Sequence, residues 1–362
     1  MKIIQLTYSL SSGGGERFLV DLSNELCTDN EVFIIQILSN DNLGNSHYLP
    51  DLDSRITYLN LDCKSGVSFD VLGKVYKTIK RINPDVVHVH CSLLTIAMAT
   101  LLFPRPKYFH TIHSSADRCL GSKYYKPLFK LLYKRKVQAV TISTTSMASY
   151  DKLYNLSNSV CITNGRSQMI TTDKFDLVSK EVSAFKVHGD DKIFLHVARY
   201  HPIKNQQLLF KTFQRLNSEG EHVQLIVIGN GFDLSALAAY NTSPVIHLLG
   251  EKRNVADYLA VSDFFVLSSK MEGLPISLLE AMSMGVIPVS TPAGGVCDVI
   301  INGTNGYVSK THAEEDFYIT IKEAIYNVSK ISSTKVIDEY LHKYSMTSCA
   351  NSYRRLFEEA RN

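Results

Sequence analysis

Short β-branched runs and helical stretches alternate along this chain, and the alternation begins twice. KIIQLTY (2–8) stops at SSGGG, after which ERFLVDLSNEL (16–26) sets Phe18, Leu19, Leu22 and Leu26 at helical spacing. EVFIIQIL (31–38) reads as a strand, VLGKVYKTIKRI (71–82) as a helix, and DVVHVH (85–90), KYFHTIH (107–113), AVTIS (139–143) and SVCITNG (159–165) as further strands. KIFLHVA (192–198) restarts the pattern, followed by QLIVIG (224–229), VIHLLG (245–250), DFFVLSS (263–269) and VIPVST (286–291). Strands separated by helices pair in parallel, because parallel neighbours need a crossover of a dozen or more residues. The expected architecture is two α/β domains, 1–166 and 167–345, with the polar stretch 169–191 near their boundary and an amphipathic helix (348–360) at the end. Such sheets place ligand sites beyond the carboxyl ends of their strands, so a cleft forms where two sets of ends face each other.

The 362 residues suffice for two cores without disulfides, and the seven cysteines contain no CxxC pair, which points to a reducing cytosol. The longest apolar run, LLTIAMATLLF (93–103), is about half a bilayer span, and the N-terminus does not read as a secretion signal. Net charge is only +3, too weak to argue for nucleic acid, and no zinc-ligand spacing is present. The charge is uneven: residues 1–165 hold 18 Lys and Arg against 13 Asp and Glu. Much of that excess lies in RCLGSKYYKPLFKLLYKRK (118–136), where seven cations mix with aromatic and aliphatic residues and no acid intervenes.

Three motifs sit at strand ends. In SSGGGER (11–17), glycines after a strand let the backbone approach a ligand, and a helix starting at residue 16 directs unpaired N–H groups toward an anion; a tight turn alone also explains it. The spacing is neither GxGxxG nor a Walker loop. In VARYHPIKNQQLLF (197–210), Arg199 and Lys204 can grip a diphosphate, the first through its bidentate fork and the second as a point charge, although two solvated loop cations fit the same letters. In SSKMEGLPISLLEAMSMGVIPVSTPAGG (268–295), Glu272 lies in a loop, Gly273 frees the backbone, and Pro275 suits the first helical turn. Glu280 follows on that helix amid apolar neighbours, where a carboxylate needs a partner. Carboxylates accept paired hydroxyls, as sugar rings present them.

These residues, with NPDVVHVH, TIH, TIS, ITNG, IGNG, DYLAVSDFFVLSS and GGVCDVIINGTNGYV, resemble the glycosyltransferases of family 4 over nearly the whole chain. The resemblance implies a GT-B fold, with two Rossmann-like domains whose parallel sheets face across a cleft. The first would be the acceptor side, with the C-terminal helix 346–362 packing back on it, and the second the nucleotide-sugar side. It further implies that Arg199 and Lys204 clamp the donor diphosphate and that Glu280 holds the ribose hydroxyls. Glu272, with the amides of Gly273 and Leu274 beside Pro275, would hold the transferred sugar. Gly14 and Gly15 would approach the donor from the other domain, where His113 contacts the sugar. Gly231, Arg253 and Asn254 complete the donor-binding set, the last two at the nucleobase. Glu272, His113, Arg199 and Lys204 are the expected catalytic group.

Two departures stand out. Arg166 and Ser167 follow ITNG where the family has an apolar residue and Asp, and Ser114 and Ser115 follow the histidine where Gly or Asp is common.

The implied activity is retaining transfer of a hexose-type sugar from a nucleotide diphosphate sugar, UDP first, to a saccharide or lipid-linked acceptor in polysaccharide biosynthesis. No cofactor or metal is expected: the only DxD, DLD (51–53), sits away from the donor loops. The family's favoured account is a front-face reaction in which a donor phosphate oxygen takes the acceptor proton, with neither glutamate attacking carbon. A sugar-nucleotide epimerase, a phosphorylase of related fold and a non-catalytic sugar-binding protein are the alternatives. The expected location is cytoplasmic. Segment 118–136 fits both a helix packed on its own domain and a peripheral contact with anionic lipid on the inner face of the plasma membrane.

Overall fold

The computed structural model describes residues 1–41, 43–64, 67–232 and 243–361. The chain divides into two compact units, Met1–Ser167 with Tyr344–Asn362, and Gln168–Lys343.

The first unit is built on a seven-stranded sheet in which every described pairing is parallel. Its strands are β1 (Lys2–Thr7), β2 (Glu31–Leu38), β3 (Thr57–Cys63), β4 (Val86–Val89), β5 (Lys107–Ile112), β6 (Val137–Thr141) and β7 (Val160–Cys161), in the order β3-β2-β1-β4-β5-β6-β7. The central strands are buried along their length, which is why they read as continuous apolar runs rather than alternating ones. The second unit repeats the plan with β8 (Lys192–Val197), β9 (Val223–Ile228), β10 (Ile246–Leu248), β11 (Phe264–Leu267), β12 (Ile287–Ser290) and β13 (Tyr307–Val308), ordered β10-β9-β8-β11-β12-β13. In each sheet the strand order reverses once, beside β1 and β4 in the first and beside β8 and β11 in the second. That reversal opens a crevice at the carboxyl ends of those strands.

Several local expectations change. β3 and β13 are absent from the sequence reading, because half-buried TYLNLDC and the two-residue YV carry little apolar signal. The first helix spans Gly14–Leu26, starting two residues earlier than expected, since glycine enters a helical turn as readily as a loop. Pro275 is the residue before the helix Ile276–Ser283, not part of its first turn; its extended ψ of 125° keeps it outside. The apolar run 93–103 forms a 3-10 turn, Leu93–Ile96, and a short helix, Ala97–Leu102. No described helix is long and apolar enough to cross a membrane.

The helix Met346–Glu359 belongs to the first unit. Its Tyr353 hydroxyl meets Thr111 Oγ1 at 2.8 Å, and Phe357 packs at a tilt against Phe109 with ring centroids 4.7 Å apart. Arg166, one of the departures from the family pattern, also has a structural partner there. Its guanidinium pairs with the buried carboxylate of Asp21, which Arg17 engages as well, while its backbone bonds to Tyr344 and Met346. Within 118–136, the helix Lys126–Arg135 buries Phe129, Leu132 and Tyr133 in the core. Only part of the apolar surface in that segment therefore faces solvent, chiefly Tyr124, Tyr125 and Leu131.

Candidate active site

In the second unit, the loops after β8 and β11 flank the point where the strand order reverses. Arg199 and Lys204 lie on the first loop, and Glu272 lies on the second. Lys204 Nζ donates to Glu272 Oε1 at 2.7 Å, and Ser269 Oγ donates to the same oxygen at 2.6 Å. Glu272 Oε2 has no partner among the described residues. Arg199 is exposed, and its guanidinium likewise makes no hydrogen bond or ion pair among them. This leaves one cation engaged and one available.

The two loops are stitched together beneath these side chains. Ser268 Oγ donates to the Lys204 carbonyl at 2.9 Å, the Lys270 amide donates to the Ile203 carbonyl at 2.8 Å, and Thr291 Oγ1 donates to the Ser269 carbonyl at 2.6 Å. Buried His196 ties β8 to β11 through Nδ1 and the Val266 carbonyl at 2.8 Å; burial pushes its pKa down to about 4. Gly294, at φ +57°, lies so close under the Glu272 carbonyl that a Cβ would collide with it. Gly231, at φ +81°, packs beside Tyr200, whose amide donates to the Asn230 carbonyl at 2.8 Å.

Gly273, Leu274 and Pro275 lead into the helix Ile276–Ser283, whose first backbone N–H groups have no side-chain cap. Glu280 is half-buried on that helix between buried Leu279 and Ala281. Asn254, after β10, spends its amide on Asp257 at 2.9 Å, and Asp257 also accepts from the backbone and hydroxyl of Thr172. Asn254 is thus engaged in closing a loop, and Arg253 beside it is exposed.

In the first unit, Gly14 and Gly15 open the helix Gly14–Leu26. A Cβ built on Gly15 would touch the His113 ring at 3.5 Å, so the glycine lets the helix start lie against the imidazole. Phe18 meets the same ring edge-on, with centroids 5.5 Å apart. His113 Nε2 contacts His90 Nδ1 at 2.9 Å, and His90 Nε2 contacts Gln5 Oε1 at 2.8 Å. Burial pushes the His113 pKa down to about 4, so the ring is neutral at neutral pH. The helix start already faces a carboxylate, because Glu16 folds back over Gly13 and accepts from Ser11 Oγ at 3.4 Å.

The DLD acids are held by arginines. Asp51 pairs with Arg17, and Asp53 receives two guanidinium bonds and one backbone bond from Arg55, which together hold its carboxyl well below the usual range. Among the described residues, the one group spaced to hold a metal is Asp190, Asp191 and His222. It lies at the amino ends of β8 and β9, opposite the loops above.

Two family models match this chain: Glycosyltransferase Family 4 over residues 12–166 and Glycosyl transferases group 1 over residues 179–338. The chain belongs to the family 4 glycosyltransferases. Among its relatives, N-acetyl-alpha-D-glucosaminyl L-malate synthase of Bacillus anthracis is 26% identical over 249 residues, 65% of this chain and 64% of that protein. The chain therefore spans just under two thirds of that relative. UDP-Gal:alpha-D-GlcNAc-diphosphoundecaprenol alpha-1,3-galactosyltransferase of Escherichia coli is 24% identical over 83% of this chain and 81% of its own length. Anabaena Alr3699/HepE, solved in complex with UDP and glucose, matches with a TM-score of 0.78 at 17% identity, covering 99% of this chain and 100% of that one. The fold is GT-B.

For this family 4 member, sequence reasoning missed Ser269, His90, Gln5 and Asp21. Ser269 stands three residues before Glu272, and His90 ends the DVVHVH run, so both were visible as letters. Ser269 bonds a carboxylate only three residues on, which the letters could have suggested, whereas the partners of His90 lie 23 and 85 residues away, beyond any local pattern.

Proposed function

We propose that this protein is a retaining glycosyltransferase that moves a hexose-type sugar from UDP-sugar to a saccharide or lipid-linked acceptor in polysaccharide biosynthesis. The observation that carries the reading is the cluster at the β8–β11 crevice, where Lys204, Glu272 and Ser269 are bonded together, with Arg199 on the same loop as Lys204 and unpaired among the described residues. Breaking the sugar–phosphate bond builds negative charge on the departing diphosphate. Arg199, exposed on the loop after β8, would meet that charge directly. Lys204 is held by Glu272 until a diphosphate competes for it, and the uncapped start of the helix Ile276–Ser283 adds its dipole. Glu272 Oε2, without a partner among the described residues, would accept from sugar hydroxyls, assisted by the amides of Gly273 and Leu274. Glu280 would take the ribose, and Gly231, Arg253 and Asn254 the base side.

In the first unit, His113 would contact the sugar, with the helix start at Gly14 and Gly15 beside its ring. The positive charge that develops on the sugar ring needs no carboxylate nucleophile: a donor phosphate oxygen removes the acceptor proton on the same face. Arginines already occupy the DLD carboxylates, which supports transfer without a metal. Relatives named for undecaprenol-linked substrates, one in Escherichia coli and another in Campylobacter jejuni, support a lipid-linked acceptor. Exposed Tyr124, Tyr125 and Leu131 among the cations of 118–136 support peripheral contact with anionic lipid on the cytoplasmic face.

The test is a thermal-shift screen of nucleotide sugars, since a ligand that binds only the folded state raises its melting temperature. It is followed by transfer assays with and without EDTA and by NMR of the product anomer. A UDP-sugar should stabilise the fold, and transfer should retain configuration and survive chelation. An inverted product, or activity abolished by EDTA, overturns the corresponding part of the reading.

A further inference from the structure

We infer that Gln5 and His90 are positioning residues that hold His113 in one tautomer, with its proton on Nε2 and a bare Nδ1 presented as a hydrogen-bond acceptor. β1, β4 and β5 lie side by side, and they place Gln5 in the sheet and His90 and His113 just past two strand ends. Gln5 is fully buried and its carboxamide oxygen faces His90 Nε2 at 2.8 Å. That oxygen can only accept, so His90 Nε2 must carry the proton. A neutral imidazole has one N–H, which makes His90 Nδ1 an acceptor. The 2.9 Å contact between the rings then requires the proton of His113 Nε2. His113 Nδ1 is left with a lone pair and has no hydrogen bond among the described residues.

Neither ring is cationic at neutral pH. Burial first, and then neighbouring His88, His113 and His110, push His90 well below its ordinary pKa; burial alone lowers His113. His88, whose ring centroid is 4.1 Å from that of His90, belongs to a different network through Thr111 and Tyr353. The relay therefore runs from Gln5 through His90 to His113 without branching into it. Gly15 and Phe18, which also touch the His113 ring, are uncharged; the titratable groups near it besides His90 are His88, His110 and Cys119, the last through the His113 backbone. An acceptor at Nδ1 suits a sugar hydroxyl, and the functional half of this inference rests on the donor-binding reading of His113.

Nitrogen-15 NMR of histidine-labelled full-length protein reports which ring nitrogen bears the proton, and His113→Gln identifies the His113 signals by their loss. The wild-type spectrum should show His113 protonated on Nε2. Gln5→Leu and His90→Phe should mix the two tautomers. His90→Gln, whose carboxamide oxygen can accept the same proton, should restore the wild-type pattern. In kinetics with the UDP-sugar that binds, Gln5→Leu should raise the donor KM about fivefold to tenfold with a smaller change in kcat, the size of one lost hydrogen bond. His90→Gln should recover most of that loss. A proton on His113 Nδ1 in the wild-type protein overturns the inference, and so does a tautomer that ignores both Gln5→Leu and His90→Phe. The spectra need no sugar, so failure to find any transfer would sink the proposed function while the tautomer remains measured.

Discussion

Lys204 Nζ donates to Glu272 Oε1 at 2.7 Å, so the cation and the carboxylate expected to serve two different parts of a donor hold each other. With side-chain exposures of 22% and 10%, the pair is shielded enough to be stronger than a surface ion pair. A diphosphate binding at Lys204 must compete with Glu272. Glu272→Gln is therefore expected to cut transfer by about 100-fold or more while leaving the affinity for free UDP unchanged or improved. Lys204→Ala is expected to reduce both. Calorimetric titration of UDP into each variant checks this, and equal weakening by both would show that the pair is static support.

Gly294 carries Glu272 on its back. At φ +57° an alanine is strained by about 1–3 kcal/mol before its Cβ meets the Glu272 carbonyl. Gly294→Ala should lower the urea midpoint and reduce transfer together, because the loop bearing Glu272 must move. Unchanged stability and activity would mean that the loop relaxes freely and does not set the site.

Five histidines, three of them buried (His88, His110, His196) and two half-buried (His90, His113), make stability depend on pH. Burial pushes His113 and His196 down to about 4 and His110 to about 3, and His88 and His90 lie well below the ordinary value. The unfolded chain protonates these rings near 6.5 and the folded chain does not, so between about pH 7 and 4 the unfolded state binds more protons. Stability should therefore fall as pH falls through that window, by up to about 1.4 kcal/mol per pH unit for each histidine. Carboxylates titrate mostly below it. Four of the five lie in the first unit, which should lose its structure at milder acidity than the second. Urea midpoints from pH 7.5 to 5 that do not move would contradict this.

The segment 118–136 offers a separate measurement. Co-sedimentation with vesicles containing anionic lipid should be clear at low salt and weaken as salt rises, since the attraction is screened over about 10 Å at 0.1 M. Lys134→Glu with Arg135→Glu, on the exposed end of the helix Lys126–Arg135, should abolish it without altering the fold. Binding that is absent, or that persists in the double variant, would remove this surface from consideration.

The alternation of apolar runs with helical spacing was enough, without coordinates, to indicate two parallel α/β units, because a buried parallel strand leaves a run of β-branched residues and its crossover leaves a period of 3.6. It also placed Arg199, Lys204 and Glu272 beyond strand ends, where the chain turns, and His113 as the last residue of a strand that the structure ends one residue earlier. β3 escaped because its residues are only half-buried, and Pro275 was misplaced by one position because proline suits either side of a helix start. What tertiary structure alone decided was who bonds to whom. Glu272 meets Lys204 from 68 residues away, Gln5 meets His90 from 85, and Arg166 meets Asp21 from 145. Local sequence encodes backbone periodicity, which depends on neighbours along the chain. Proton placement and ion pairing depend instead on neighbours in space, and those exist only after the strands have taken their order in the sheet.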